Sequence, residues 1–206
     1  ALIALDTLDF EVPDDAKWNR QAIIDALLAS QNSNGSWPLN EYFDTPDIDV
    51  TGMVLIGLSE YTHIPEVDEA LERAVDWLSN QQMDNGGFFA GDFVGGITSE
   101  STSQVVIGLS SYGIDSAGDI FTKEGKSLID HLLAYQNDDG GFKHTMEDNS
   151  SDPMATEQAL QALVAYHYYL TGQGSLYQFD PNDIEPPVEE DDDEENSQPI
   201  NEEKFI

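Results

Sequence analysis

At 206 residues the chain is long enough for one ordinary domain, and 7 Lys and Arg face 41 Asp and Glu, a formal net charge of −34. That balance excludes a nucleic-acid binder, which needs a basic face against phosphates, and it opposes docking on anionic lipid. The lack of cysteine excludes a disulfide scaffold, a thiol nucleophile and any cysteine-ligated zinc or iron–sulfur centre.

The first segment, residues 1–13, opens on Ala1-Leu2-Ile3-Ala4-Leu5. Its apolar pattern matches Val54-Leu55-Ile56-Gly57-Leu58 further on. Such a start is expected to be the end of a truncated preceding repeat.

Residues 14–172 then contain three similar units. Gln31-Asn-Ser-Asn-Gly35-Ser36-Trp37, Gln82-Met-Asp-Asn-Gly86-Gly87-Phe88 and Gln136-Asn-Asp-Asp-Gly140-Gly141-Phe142 share the pattern Q-x-x-x-G-[SG]-aromatic. A threonine stands twenty residues beyond each glutamine: Thr51, Thr102 and Thr156. Upstream, Ile24, Val75 and Ile129 align, as do Leu27, Leu78 and Leu132. Downstream, Leu58, Leu109 and Leu163 align, and so do Tyr61, Tyr112 and Tyr166. Two blocks that keep one offset three times define an internal repeat.

Each unit reads as two helices. The first ends near its glutamine, where the glycine permits a positive φ and stops the helix. Gln31, Gln82 and Gln136 are expected to be largely buried and bonded to backbone, and Trp37, Phe88 and Phe142 to pack on their own first helix. The second helix opens near the threonine, with Asp49 as the expected cap in the first unit and Asp152, before Pro153, in the third. The small residues Gly57, Gly108 and Ala162 share one position and are expected to admit a neighbouring helix. Segments such as 38–45 and 89–98 read as polar loops.

The last segment, residues 173–206, is proline-containing and acidic. Within it, residues 180–206 carry 12 acids and one lysine, and Glu189 to Glu195 is an unbroken carboxylate run. Little apolar surface is available there to offset ordering entropy, so an extended, disordered linker or tail is predicted. No apolar run is long enough to span a bilayer.

The repeated motif resembles that of squalene–hopene cyclases, protein prenyltransferase β-subunits and their relatives. The resemblance implies an all-α fold, an α/α toroid built as a partial ring of helical hairpins. In it the motif residues Gln31, Gly35, Trp37, Gln82, Gly86, Phe88, Gln136, Gly140 and Phe142 tie neighbouring helices together. The run Asp-Ile-Asp-Val-Thr-Gly-Met-Val-Leu after Gly-Ser-Trp looks most like toroid repeats of bacterial secreted or surface proteins. That implies a non-catalytic module, extracellular or at the cell surface, that binds a ligand or partner. The expected partners are remaining toroid repeats or an adjacent domain of a longer chain.

The same resemblance implies an alternative. Asp47-Ile48-Asp49-Val50-Thr51 is similar to the D-x-D-D-T acid motif of class II terpene cyclases, with Asp49 as the proton donor to an isoprenoid and Asp47 as its partner. Val50 departs from that motif, where the family has a further Asp. The two readings separate on chemistry. As a cap, Asp49 accepts a backbone N–H and titrates low; as a catalytic acid it is held protonated and titrates high. The zinc site of the prenyltransferases needs a cysteine that this chain lacks, and His63, His131, His144 and His167 are scattered, so no metal and no cofactor is expected.

Overall fold

The computed structural model describes residues 1–13, 15–40, 42–91 and 95–179. The predicted tail from residue 180 onward lies outside the described residues. Seven α-helices occur among those described: α1 (Leu2–Asp6), α2 (Arg20–Ala29), α3 (Ile48–Leu58), α4 (Pro65–Gln81), α5 (Ser99–Tyr112), α6 (Leu128–Leu133) and α7 (Pro153–Thr171). The expected all-α architecture is the one observed, with each repeat a helical hairpin: α2 with α3, α4 with α5, α6 with α7.

The helices form two layers. In the inner layer α3 packs along α5 and α5 along α7, the two most extensive helix contacts, with α1 against α3. In the outer layer α2 packs on α4. The buried core runs between the layers, through Leu55, Leu58, Leu71, Leu78, Val106, Leu109, Leu128, Leu132 and Ala159. α5, central in the inner layer, is buried on nearly every face.

Glycine sets how closely the inner helices approach. A Cβ on Gly52 would lie 2.9 Å from the backbone of Gln104, and one on Gly108 would lie 2.6 Å from the Gly52 carbonyl oxygen. Neither fits without parting α3 from α5. Gly57, expected to serve the same purpose, has nothing within 4 Å of such a Cβ. The close approach is therefore made by Gly52 with Gly108, and Gly57 is not part of it.

The inner helices α3, α5 and α7 each open on a capping side chain at the same repeat position. Asp47 accepts the Val50 amide at 2.8 Å, Thr98 accepts Ser101, and Asp152 accepts Met154 and Ala155. The expected cap Asp49 is thus corrected to Asp47. Asp47 has extended backbone geometry, whereas Asp49 already lies inside the first turn.

Three further differences from the sequence reading appear. The segment expected as a loop after Trp37 forms an antiparallel hairpin, β1 (Trp37–Asn40) with β2 (Phe43–Asp47), in which Pro38 faces Pro46. A second short hairpin, β3 (Thr122–Lys123) with β4 (Lys126–Ser127), uses residues that α4 has as helix, so α6 is short. Residues 173–179, assigned to the tail on composition, pack back on the inner layer. Gly172 and Gly174, both at positive φ, turn the chain; Ser175 is buried, and Tyr177 donates to Gln161 Oε1 at 3.2 Å. The apolar side chain of Leu176 and the aromatic ring of Tyr177 pack against the core there.

Candidate functional site

The repeat motif works as a joint between successive repeats. Gln31 Nε2 donates to Gly35 O at 2.9 Å and to Ala70 O, 39 residues on in α4, at 2.8 Å. Gln82 repeats this with Gly86 O and Phe121 O, again 39 residues on. Among the described residues, the Gln136 side chain reaches only Gly140 O, at 3.4 Å. Burial follows the same gradient: Gln82 is buried, Gln31 half-buried and Gln136 exposed, so the expectation of three largely buried glutamines is corrected for two of them. The cause is cover. An outer element of the next repeat lies over Gln82, and none among the described residues lies over Gln136.

The motif glycines tell the same story. Gly35, Gly86 and Gly140 all have positive φ. A Cβ on Gly35 would meet Arg73 O at 2.4 Å, and one on Gly86 would meet Ser127 O at 2.7 Å, while Gly140 faces open space. Trp37, Phe88 and Phe142 are all buried. The Trp37 indole donates to Leu27 O on its own first helix at 2.7 Å. Its backbone amide is received by the Thr51 hydroxyl at 2.9 Å, and Thr156 receives the Phe142 amide in the same way.

The aligned tyrosines tie separate elements together through acids that the sequence did not mark. Tyr61 donates to Asp6, Tyr112 to Asp68 and Tyr166 to Asp115, at 2.8, 2.9 and 3.0 Å. Burial and the neighbouring carboxylate raise all three phenols, Tyr166 to about 12. The tyrosine repeat is plain in the sequence. The acids are not, because they do not recur at one fixed offset.

Asp49 is the residue on which the two functional readings divide. It is half-buried, one turn before Gly52, at the seam of α3 and α5. Its Oδ1 is shielded from solvent and has no hydrogen-bond partner among the described residues. Burial raises its carboxyl above the ordinary value against the pull of the Ser101 hydroxyl, and the charges of Asp47 and Glu100 add to the rise. The low titration expected of a cap is therefore overturned. The surroundings are a helix–helix seam. Glu100, the residue in register with Asp49 on α5, bonds His144 Nδ1 at 2.8 Å.

The four histidines do not converge. His63 and His167 are exposed, His144 pairs with Glu100, and His131 is buried beside Thr102 and Tyr135. No group of three or more metal-ligating side chains occurs among the described residues. No helix among them is long and apolar enough to cross a membrane.

The cavities answer to no motif of the repeat. A cleft of about 400 Å³ opens where the second repeat meets the third, bordered by Asn85, Lys126, Asp130, His131, Tyr135 and Met146. A second, of about 370 Å³, shares Asn85, Tyr135 and Met146 and adds Phe89. Asp49 borders neither. The one signal available was a break in the repeat: His131 stands in register with Trp77, and Gly87 with Ser36.

Residues 37–165, well over half of the chain, match the model of the squalene–hopene cyclase C-terminal domain. The chain belongs to that family, and its helical hairpins are repeats of the family's α/α toroid. A comparison with curated proteins gives no match.

Proposed function

We propose that this chain is a non-catalytic toroid module of a secreted or cell-surface bacterial protein, and that it works by holding a ligand or partner. The observation that carries this reading is the placement of Asp49. The residue that resembles a cyclase acid sits in the seam of α3 and α5, and it does not line either cleft at the junction of the second and third repeats. A proton donor must come within hydrogen-bond reach of the atom it protonates, and an isoprenoid needs an apolar cavity there. Secretion or surface attachment rests on the resemblance of the Asp47–Leu55 run; the strong negative charge agrees with a well-solvated module.

The partner in this proposal is a further repeat or an adjacent domain seated on α7. Leu160 is 60% exposed, while Leu55 and Val106, its counterparts on α3 and α5, are at 0%. The spare glutamine Gln136 lies at the same end of the array.

One observation favours the alternative, an isoprenoid-cyclising enzyme with Asp49 as acid: its carboxyl titrates high, as a general acid must. Incubation of the chain with squalene and with geranylgeranyl diphosphate separates the two. The binding-module reading expects no cyclised product from either. Cyclised product from the parent chain that disappears in Asp49→Asn would establish the enzyme.

A further inference from the structure

The junction between the second and third repeats breaks rules that the first junction keeps. Thr51 and Thr156 turn their hydroxyls to the amide of their motif aromatic. Thr102 instead lies 3.0 Å from His131 Nδ1. The imidazole fits only because residue 87 is glycine, since a Cβ there would lie 2.2 Å from the ring. In the first junction the corresponding residues are Trp77 and Ser36. An indole has thus been replaced by a smaller, polar ring, and this is the junction at which the cleft opens. Departures from a repeat pattern that coincide in one place are characteristic of functional sites.

The floor of the cleft is polar and uncharged. Burial lowers the His131 pKa to about 4, with Lys126 adding to the fall, so the ring is neutral near pH 7. Its Nδ1 lies 3.0 Å from the Thr102 hydroxyl, and its Nε2 faces the Tyr135 hydroxyl at 3.5 Å. That hydroxyl in turn donates to Ile97 O at 3.3 Å. The walls are mixed: Asn85, Lys126 and Asp130 supply donors and acceptors, and the exposed Met146 and Phe89 supply apolar surface. Phe89 is 53% exposed, an aromatic face presented to solvent at the mouth.

We propose that this double cleft binds a neutral carbohydrate of one or two pyranose rings. Its volume is in the usual range for small-ligand sites, ~300–1,000 Å³. An anion is opposed by Asp130, Glu147 and the net charge of −34. A pure hydrocarbon would leave Asn85, Asp130 and Lys126 desolvated without partners. A pyranose meets both kinds of wall: its C–H face stacks on the exposed Phe89 ring, and its vicinal hydroxyls pair with the amide, carboxylate and ammonium. The proposal gives a ligand class to the binding-module reading and rests on it.

The test is saturation-transfer NMR with glucose, galactose, N-acetylglucosamine, maltose and cellobiose at millimolar concentration. At least one sugar is expected to show saturable transfer. Phe89→Ala, at a solvent-facing ring, is expected to weaken it at least ten-fold while leaving the far-UV spectrum and the unfolding midpoint unchanged. No transfer from any of the five, or transfer that Phe89→Ala leaves intact, would overturn the assignment. Either failure leaves the non-catalytic reading standing, because the isoprenoid incubation decides that separately.

Discussion

Gly57 and Gly108 occupy the same position in successive repeats, yet a methyl group added to each should move stability in opposite directions. In helices, Gly→Ala by itself gains about 1 kcal/mol from backbone entropy. At Gly57 nothing lies within 4 Å of the new methyl, so the gain should appear nearly in full, as ~0.5–1 kcal/mol. At Gly108 the methyl would stand 2.6 Å from the Gly52 carbonyl oxygen and 3.0 Å from the Leu55 Cβ. Ordinary contact needs roughly 3.5 Å, so α5 must retreat from α3 by close to 1 Å along its most extensive contact. Overpacking of this kind costs ~1–3 kcal/mol, and separating backbones loses further contacts along the seam. The net expected cost is about 1–2 kcal/mol. At ~2–4 °C per kcal/mol for a chain of this size, melting followed at 222 nm should rise by a few degrees for Gly57→Ala and fall by several for Gly108→Ala. Shifts of the same sign would refute the assignment of the close approach to the Gly52–Gly108 pair.

Gln82→Ala removes an amide that bonds two carbonyls under cover, at an expected cost of ~1–3 kcal/mol, whereas Gln136→Ala at the exposed end should cost under ~0.5 kcal/mol; urea midpoints measure both. Trp37→Ala empties a buried site and removes the indole bond to the Leu27 carbonyl, for an expected loss of ~3–5 kcal/mol, while Trp37→Phe should lose about 1 kcal/mol. Asp49 has a folded-state pKa above its unfolded value, so its favourable contribution is complete below the unfolded pKa and is lost as pH rises through the folded one. Asp49→Asn should therefore raise the melting temperature at pH 7 and have less effect near pH 4, as scanning calorimetry at the two pH values will show.

The repeat was legible because its parts recur at fixed offsets, and fixed offsets survive even where individual residues vary. The inner-helix cap was also legible and was misplaced by two residues. Asp47 and Asp49 both precede Thr51, and composition alone does not choose between them. Register does choose, since Thr98 and Asp152 stand in line with Asp47. The Tyr–Asp bridges were half legible, because the tyrosines sit at one repeat position on rigid helices and their acids come from elements of differing length. The β1–β2 hairpin was hidden by its two prolines, which read as breakers until they are seen to face each other across the pair. The cleft was least legible of all. A cavity is made by what is missing between repeats, and only the contrast of His131 and Gly87 with Trp77 and Ser36 points to it.

The central proposal is that Asp49, the acid of the cyclase-like motif, sits in the seam of α3 and α5 and meets no isoprenoid there. It is tested most directly by a carbon-13 NMR titration of the Asp49 carboxyl, alone and with saturating farnesol. The account expects titration above the ordinary aspartate value of ~3.9 in both samples, with the two curves superimposed. A curve that moves upward when the isoprenoid is added would put an apolar ligand against this carboxyl and contradict the claim.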